Sequence, residues 1–407
     1  MNMRSCDNYK NKSKIYAIAY FLITISFGLR GFQIGPFKLL EILLINYCIF
    51  AIYIKLINKQ KVKINIVDIV IFLFIINVLF GILINSFTDD TFITLIRLLI
   101  GILIYAFFSN VHINIYKKYI SFCLLFTANY IFIHNLNNFI NFISGNYSGQ
   151  FVRRMSIESS FGNPNFVSNF LLIPFNVSIW FLIKGVVRRN IYITLYNLLT
   201  VISIIILMIV TQSRGSLVAL FINIILYLGW FVKNRKLNVR NLFVISITIL
   251  IIAITIIQIL PSTVLDYLYQ RFDYDQIMSG SGRNIIFRDG LNKFLQKPIF
   301  GVGLGNFKRI SIYNSRTHNL YLELLVETGL LGFILFIYII YATISMRKKD
   351  PENIPYYFSF IALLINGMTI NMLDLRHLWL IIGILNSSRR FKSDKLGPTE
   401  QYVYKAF

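Results

Sequence analysis

The sequence predicts an all-α, polytopic membrane protein, and three observations carry that prediction. Apolar residues make up 56% of the 407 residues, and mean hydropathy is +0.66, beyond what a soluble globule carries. They fall into blocks of about 20 residues, a length that crosses a hydrocarbon core roughly 30 Å thick at about 1.5 Å per residue. Basic residues collect in the short connections between those blocks. Lipid offers no partner to an unpaired backbone group, so each block is expected to be a helix; a barrel would need short alternating strands instead.

Taken in order, the blocks lie at 15–35, 37–57, 64–86, 91–109, 115–135, 161–183, 191–212, 213–232, 242–260, 318–342, 355–373 and 376–388, which makes about twelve expected spans, the last one short. The start, with Arg4, Lys10, Lys12 and Lys14 before an apolar run, resembles a signal peptide. The run continues without a small-x-small cleavage site, so it reads as an uncleaved first span. Clusters at Lys59/Lys61/Lys63, Lys117/Lys118, Lys184/Arg188/Arg189, Lys233/Arg235/Lys236/Arg240, Arg347/Lys348/Lys349 and Arg389/Arg390/Lys392 all land on one side of a twelve-span topology. The excess of Lys and Arg in cytoplasmic loops makes that side the cytoplasm and puts both termini there. The same rule accounts for most of the +23 net charge, so a nucleic-acid partner is not implied. Cys6, Cys48 and Cys123 lie in the N-terminal tail and in apolar runs and predict no disulfide framework.

The chain thus reads as a single integral membrane domain over 1–407 whose opposite loops are external. Two are long enough to hold structure. The 136–160 loop carries Arg153 and Arg154; the 261–317 loop carries an expected surface helix at 283–296, with Ile286, Phe287, Leu291, Phe294 and Leu295 at helical spacing and Arg288 and Asn292 on another face. No repeat relates the two halves.

The external arginines run against the charge rule that orders the other loops. Arg214 falls in the first turn of its expected span, Arg283 at the start of the loop helix, and Arg153 and Arg154 just before the span that opens with Phe161-Gly162-Asn163-Pro164-Asn165. A helix N-terminus carries about half a positive charge, so a cation there costs a few tenths of a kcal/mol or more. Guanidinium groups beside helix N-termini instead make an anion site, and the guanidinium fork suits phosphate oxygens better than an ammonium does. The plainer reading is that each arginine reaches up to lipid headgroups. His318 opens an expected span among Arg316, Asn319, Tyr321 and Glu323. Asn319, Glu323 and Glu327 are four apart and share a helix face; buried carboxylates there would pair with arginines or line a wet hollow.

Other motifs are weaker. Gly301-x-Gly303-x-Gly305 lacks the strand–turn–helix setting of a dinucleotide loop. No His-Glu-x-x-His, cysteine pair or external carboxylate cluster predicts a metal site. Asp89–Asp90 reads as a solvated turn, and Asp374, Arg376 and His377 as a local pairing group.

Phe161-Gly162-Asn163-Pro164-Asn165, Thr211-Gln212-Ser213-Arg214-Gly215, Ser281-Gly282-Arg283, Lys297-Pro298 through Gly305-Asn306-Phe307, and His318-Asn319-Leu320-Tyr321 with Glu327-Thr328-Gly329-Leu330 together resemble the O-antigen ligase and polymerase family, over roughly 155–345. The resemblance implies a metal-independent, inverting membrane glycosyltransferase of the GT-C type, without cofactor, in the bacterial inner membrane. It implies a donor glycan on undecaprenyl diphosphate and an acceptor that is another lipid-linked glycan or the lipid A core. It implies a chain-length regulator or a flippase as candidate partners. By the same resemblance Arg214 and Arg283 would hold the diphosphate, and His318 would orient or deprotonate the acceptor hydroxyl. In the commoner GT-C pattern an external carboxylate is the base, so Glu327 and Asp289 stay open beside His318.

The leading expectation is a polymerase that joins lipid-linked repeat units of a surface polysaccharide such as O-antigen (part of lipopolysaccharide) or capsule. The nearest rival is a ligase that moves finished polymer to its acceptor. A transporter or lipid-linked glycan flippase would call for charged or broken spans near the bilayer midplane; a non-catalytic membrane scaffold is the remaining alternative.

Overall fold

The computed structural model of the protein describes residues 33–34, 37–38, 64–109, 113–144, 163–234, 283–345 and 351–390, with single helical positions between 42 and 53 and between 247 and 269. The regular structure among the described residues is helical apart from one strand pair, β1 (Gln33–Ile34) with β2 (Phe37–Lys38), antiparallel in the register Gln33↔Lys38 and Ile34↔Phe37. That turn sits at the expected junction of the first two blocks.

The helices follow the sequence blocks closely. They are α1 (Ile66–Ile84), α2 (Asp89–Ser109), α3 (Ile113–His134), α4 (Leu136–Ile143), α5 (Pro164–Val187), α6 (Ile191–Thr211) and α7 (Arg214–Asn234). After them come α8 (Arg283–Gln296), the short α9 (Phe307–Ile310), α10 (Leu320–Ser345), a 3₁₀ turn at Pro351–Asn353, α11 (Ile354–Asn366) and α12 (Arg376–Arg390).

Local chemistry sets several of the boundaries. Asn65 Oδ1 accepts from Val67 N and Asp68 N, while Asp68 Oδ2 accepts from Asn65 N at 2.7 Å, a reciprocal cap that starts α1. Asn163 Oδ1 accepts from Asn165 N at 2.9 Å, and Pro164 needs no donor at the first helical position, so α5 begins inside the Asn-Pro-Asn sequence. Asn319 caps α10 with hydrogen bonds from Tyr321 N and Leu322 N.

Among the described residues six helices are long and apolar enough to cross a membrane: α1, α2, α5, α6, α7 (to Val232) and α10. Helices α3 and α4, bent by 47°, would make a seventh if they form one span. The expected blocks at 15–35, 37–57 and 242–260 lie largely outside the described residues. The block at 355–373 behaves differently from its reading as one span. Helix α11 has 13 residues, about 20 Å at the helical rise, and ends at Asn366. A polar turn through Thr369, Asn371 and Asp374 follows, because those groups need partners that a continuing lipid-exposed helix would not supply.

Helix α5 packs on α6 and is buried along most of its length; α11 lies against α5 and α7, α12 against α2, and α10 against α1 and α8. Phe170, Phe175, Phe360, Phe336 and Trp379 fill the core that results. One end of this bundle receives α8, α9 and the turns on either side of them.

Candidate functional site

At that end the glycines read as a weak motif form a docking turn. Gly301, Gly303 and Gly305 have φ of +71°, +92° and +76°, a region in which a Cβ is strained. The turn runs beside α10 where that helix breaks at Gly329 (φ +69°, ψ −173°). Val302 N donates to Val326 O at 2.9 Å, Gly303 N to Glu327 O at 3.1 Å, and Leu330 N to Pro298 O at 2.8 Å. These bonds satisfy groups that the break leaves open. A Cβ on Gly329 would collide with Ile299 O, and one on Gly301 would lie 2.5 Å from Val326 O. Glu327 Oε2 accepts from Gly305 N at 2.8 Å. Asn306 is fixed from the other side, its Oδ1 accepting from Thr91 Oγ1 at 2.9 Å.

This platform leads into the segment 311–320. Asp289, buried on α8, accepts from Ile312 N at 3.0 Å, which makes it a tether between the loop helix and that segment. His318 adopts the left-handed backbone region at φ +51°, two residues before the span helix begins. Such a conformation in a residue other than glycine has to be held by its surroundings. Asn371 holds it, accepting from His318 N at 2.8 Å and donating Nδ2 to Thr317 Oγ1 at 3.0 Å. Leu320 N donates to Gly367 O at 2.7 Å, and Asn319 Nδ2 to Met368 O at 3.1 Å. The polar turn after α11 is therefore the cradle of the histidine segment.

The same turn reaches Arg214. Ser216, two residues into α7, receives Asn366 Nδ2 at 2.8 Å, and a Cβ on Gly215 would lie 2.6 Å from Asn366 Oδ1 and collide with Thr369. Helix α7 thus brings the Arg214 end against the turn that holds the His318 segment. Arg283 begins α8, as the loop-helix reading expects, and Gly290 of that helix packs on Leu322 and Val326 of α10.

The electrostatics tie these parts together. Burial lowers the His318 imidazole below its ordinary pKa, and the positive charges of Arg283 and then Arg316 lower it further. The ring is therefore neutral at pH 7 and able to accept a proton. Ser315 Oγ lies 3.4 Å from its Nε2. Arg316 Nη1 bonds Asp374 Oδ2 at 3.2 Å, and Arg97 Nη1 stands 3.6 Å from the same oxygen. Burial alone would lower the Arg316 pKa; Asp374, then Glu323 and Glu327, raise it overall. Glu323 Oε2 and Asp374 Oδ1 are buried and have no hydrogen-bond partner among the described residues. Carboxylate oxygens of this kind accept bonds from hydroxyl groups.

The structure thus brings Arg283, Arg316, His318, Glu323 and Glu327 to one place and links Arg214 to it through the 366–371 turn. Arg153 and Arg154 lie outside the described residues. Arg288 is exposed on α8 and, five residues on, points roughly 140° around the helix from Arg283. Asn319 acts as a helix cap, and Tyr321 Oη donates to Leu364 O at 2.9 Å. Asp374 does not pair locally with Arg376 and His377 as expected: its partners come from Arg316 and Arg97, while His377 Nε2 bonds Asn169. Asp89 is exposed and Asp90 partly so, as expected, but they form the first turn of α2, where negative charge suits the helix N-terminus, and Lys308 pairs with Asp90 at 3.4 Å. Among the described residues no group of three or more His, Cys, Asp or Glu is placed to hold a metal ion.

Sequence reasoning missed Asn371 and Arg97, and gave Asp374 the wrong partners. For Arg97 a signal was present: a guanidinium eight residues inside an apolar span, about 12 Å along the helix, is costly unless paired.

Against known proteins, residues 198–337 match the family described as O-Antigen ligase, an interval that runs from within α6 into the second half of α10. No curated protein matches the chain.

Proposed function

We propose that the chain is a membrane glycosyltransferase acting on a glycan carried by undecaprenyl diphosphate, a reading supported by the match of residues 198–337 to the family described as O-Antigen ligase. The observation that carries the reading is the neutral His318 held in a left-handed conformation beside Arg283 and Arg316. A base of this kind next to fixed guanidinium groups suits attack by a sugar hydroxyl on an activated anomeric carbon.

In the proposed step the acceptor oxygen forms a bond to the anomeric carbon while the bond from that carbon to the diphosphate oxygen breaks. The diphosphate leaves with the electron pair, and the hydroxyl proton passes to the imidazole. Attack opposite the leaving group inverts the anomeric centre. Diphosphate is a good leaving group, so positioned arginines supply the charge stabilisation and no acid is required. Arg214 and Arg283, each at a helix N-terminus, hold the phosphates in this reading. The imidazole, with a reference pKa of about 6.5, orients and deprotonates the acceptor. Glu323 Oε2 and Asp374 Oδ1 offer acceptors for further sugar hydroxyls. Glu327 and Asp289 already accept backbone N–H groups, which favours His318 over either as the base.

The proposed acceptor is a second lipid-linked repeat unit, which makes the enzyme a polymerase. The description of the matched family favours a second reading, ligation of finished polymer to another acceptor. Glycan gels and lipid-linked intermediates from a deletion strain distinguish them. Single capped repeats are expected from loss of a polymerase; long unattached undecaprenyl-linked chains would mean a ligase; an unchanged profile would contradict both. The site is proposed to face the periplasm or cell exterior, with both termini cytoplasmic.

A further inference from the structure

The turn that docks on the α10 break lies between two helices long and apolar enough to span a membrane, α1 and α10. Leu330, whose N–H donates to Pro298 O, is ten residues past Leu320, about 15 Å along the helix. On the other side, Gly81 of α1 packs on the Phe300 carbonyl, with a built Cβ 3.1 Å away. Phe80 and Phe300 stack with ring centroids 6.2 Å apart. Phe80, Leu83 and Ile84 on α1 and Leu330, Leu331 and Ile334 on α10 are all exposed apolar side chains of spanning helices.

The exposed apolar surface does not stop at those helices. It continues onto Ile299, 57% exposed, and one helical turn back onto Leu295, 70% exposed. A rim of cations follows. Lys297, its Nζ 2.5 Å from Asn85 Oδ1 at the end of α1, lies between the two, and Lys308 and the exposed Arg309 lie on α9. Exposed apolar side chains along the spanning helices, with cations paired at the α1–α2 end, match the layering of acyl chains under phosphate headgroups.

We propose that the C-terminal half of α8 and the Pro298–Phe300 turn are seated in the bilayer leaflet on the His318 side. Leu295 and Ile299 lie among the acyl chains, and Lys297 and Lys308 at the phosphate layer. The loop helix is then an interfacial element, and lipid fixes the height of Arg283 and of the segment that leads to His318. The inference rests on the placement of these side chains and is independent of the reaction proposed above.

Spin labels test it in the full chain, reconstituted in vesicles of phosphatidylcholine and phosphatidylglycerol, with Cys6, Cys48 and Cys123 replaced by alanine. Labels on Leu295→Cys and Ile299→Cys are expected to relax with dissolved oxygen over a water-soluble nickel chelate, at a ratio close to that of Leu330→Cys and well above that of the exposed Asn314→Cys. A ratio equal to that at Asn314 would overturn the proposal. Shielding from both probes would also overturn it, because the face would then be covered by protein. Should the thiol-free chain fail to insert, Ile299→Trp quenched by brominated phosphatidylcholine reads the same contact; no quenching beyond the native tryptophans would contradict it.

Discussion

The N–H of His318 donates to the side-chain oxygen of Asn371 at 2.8 Å, so the residue proposed to take the proton is fixed by a turn 53 positions further along the chain. The side-chain amide of Asn371 also donates to Thr317 Oγ1 at 3.0 Å, so one side chain holds both the histidine's N–H and the residue before it.

Replacing Asn371 by alanine removes both hydrogen bonds and the one it makes to Glu323, and leaves the part-buried His318 N–H unpaired, a cost of about 1–3 kcal/mol. Transfer activity should fall by at least about tenfold, while Asn371→Asp, which keeps the acceptor, should retain more. Equal activity in the two variants, at equal protein levels in the membrane, would remove the positioning role.

The lowered pKa of His318 sets an acid limit. The base form is lost as pH falls through a value below the ordinary 6.5, so the activity of the wild type should persist into mildly acid buffer. Arg283→Ala removes the guanidinium that depresses the ring more strongly than Arg316 does and should move the acid limb to higher pH. A pH–rate profile measured on substrate-saturated vesicles checks this; a limb that stays put or moves down would argue against the pairing.

Arg214→Lys and Arg283→Lys keep the charge and lose the fork. If the guanidinium groups grip phosphate oxygens, each change should lower turnover by about tenfold or more. Near-wild-type turnover would indicate headgroup contacts instead.

Gly329→Ala places a Cβ against the Ile299 carbonyl in a region of φ that itself costs about 1–2 kcal/mol. The variant should lose thermal stability in detergent by several degrees or fail to accumulate. Gly229→Ala, with open space around its Cβ, is the matched control and should change little.

Much of the architecture was legible because lipid imposes simple rules. Block length and charge asymmetry gave α1, α2, α5, α6, α7 and α10 to within a few residues, and the apolar spacing gave α8 at 283–296. What the sequence did not reveal was which polar residues meet. Asn366, Asn371 and Asp374 sit in or beside a block that reads as one span, and their partners lie from 54 to 150 positions away for Thr317, Arg316 and Ser216. Nothing local announces such contacts. The three turn glycines were visible, but the break at Gly329 that receives them was not, since a single glycine in an apolar run is tolerated in a helix.

In the proposed reaction His318 takes the acceptor proton during glycan transfer from a lipid diphosphate. The direct measurement is transfer by the purified, reconstituted protein supplied with undecaprenyl-diphosphate-linked oligosaccharide, comparing wild type with His318→Asn. Asparagine tolerates the left-handed backbone, so the fold is kept and only the base is lost. The account predicts longer lipid-linked glycan from the wild type and a rate lower by about 10²–10⁴-fold from the variant. Equal rates from the two proteins, or no transfer by the wild type to any lipid-linked acceptor, would contradict it.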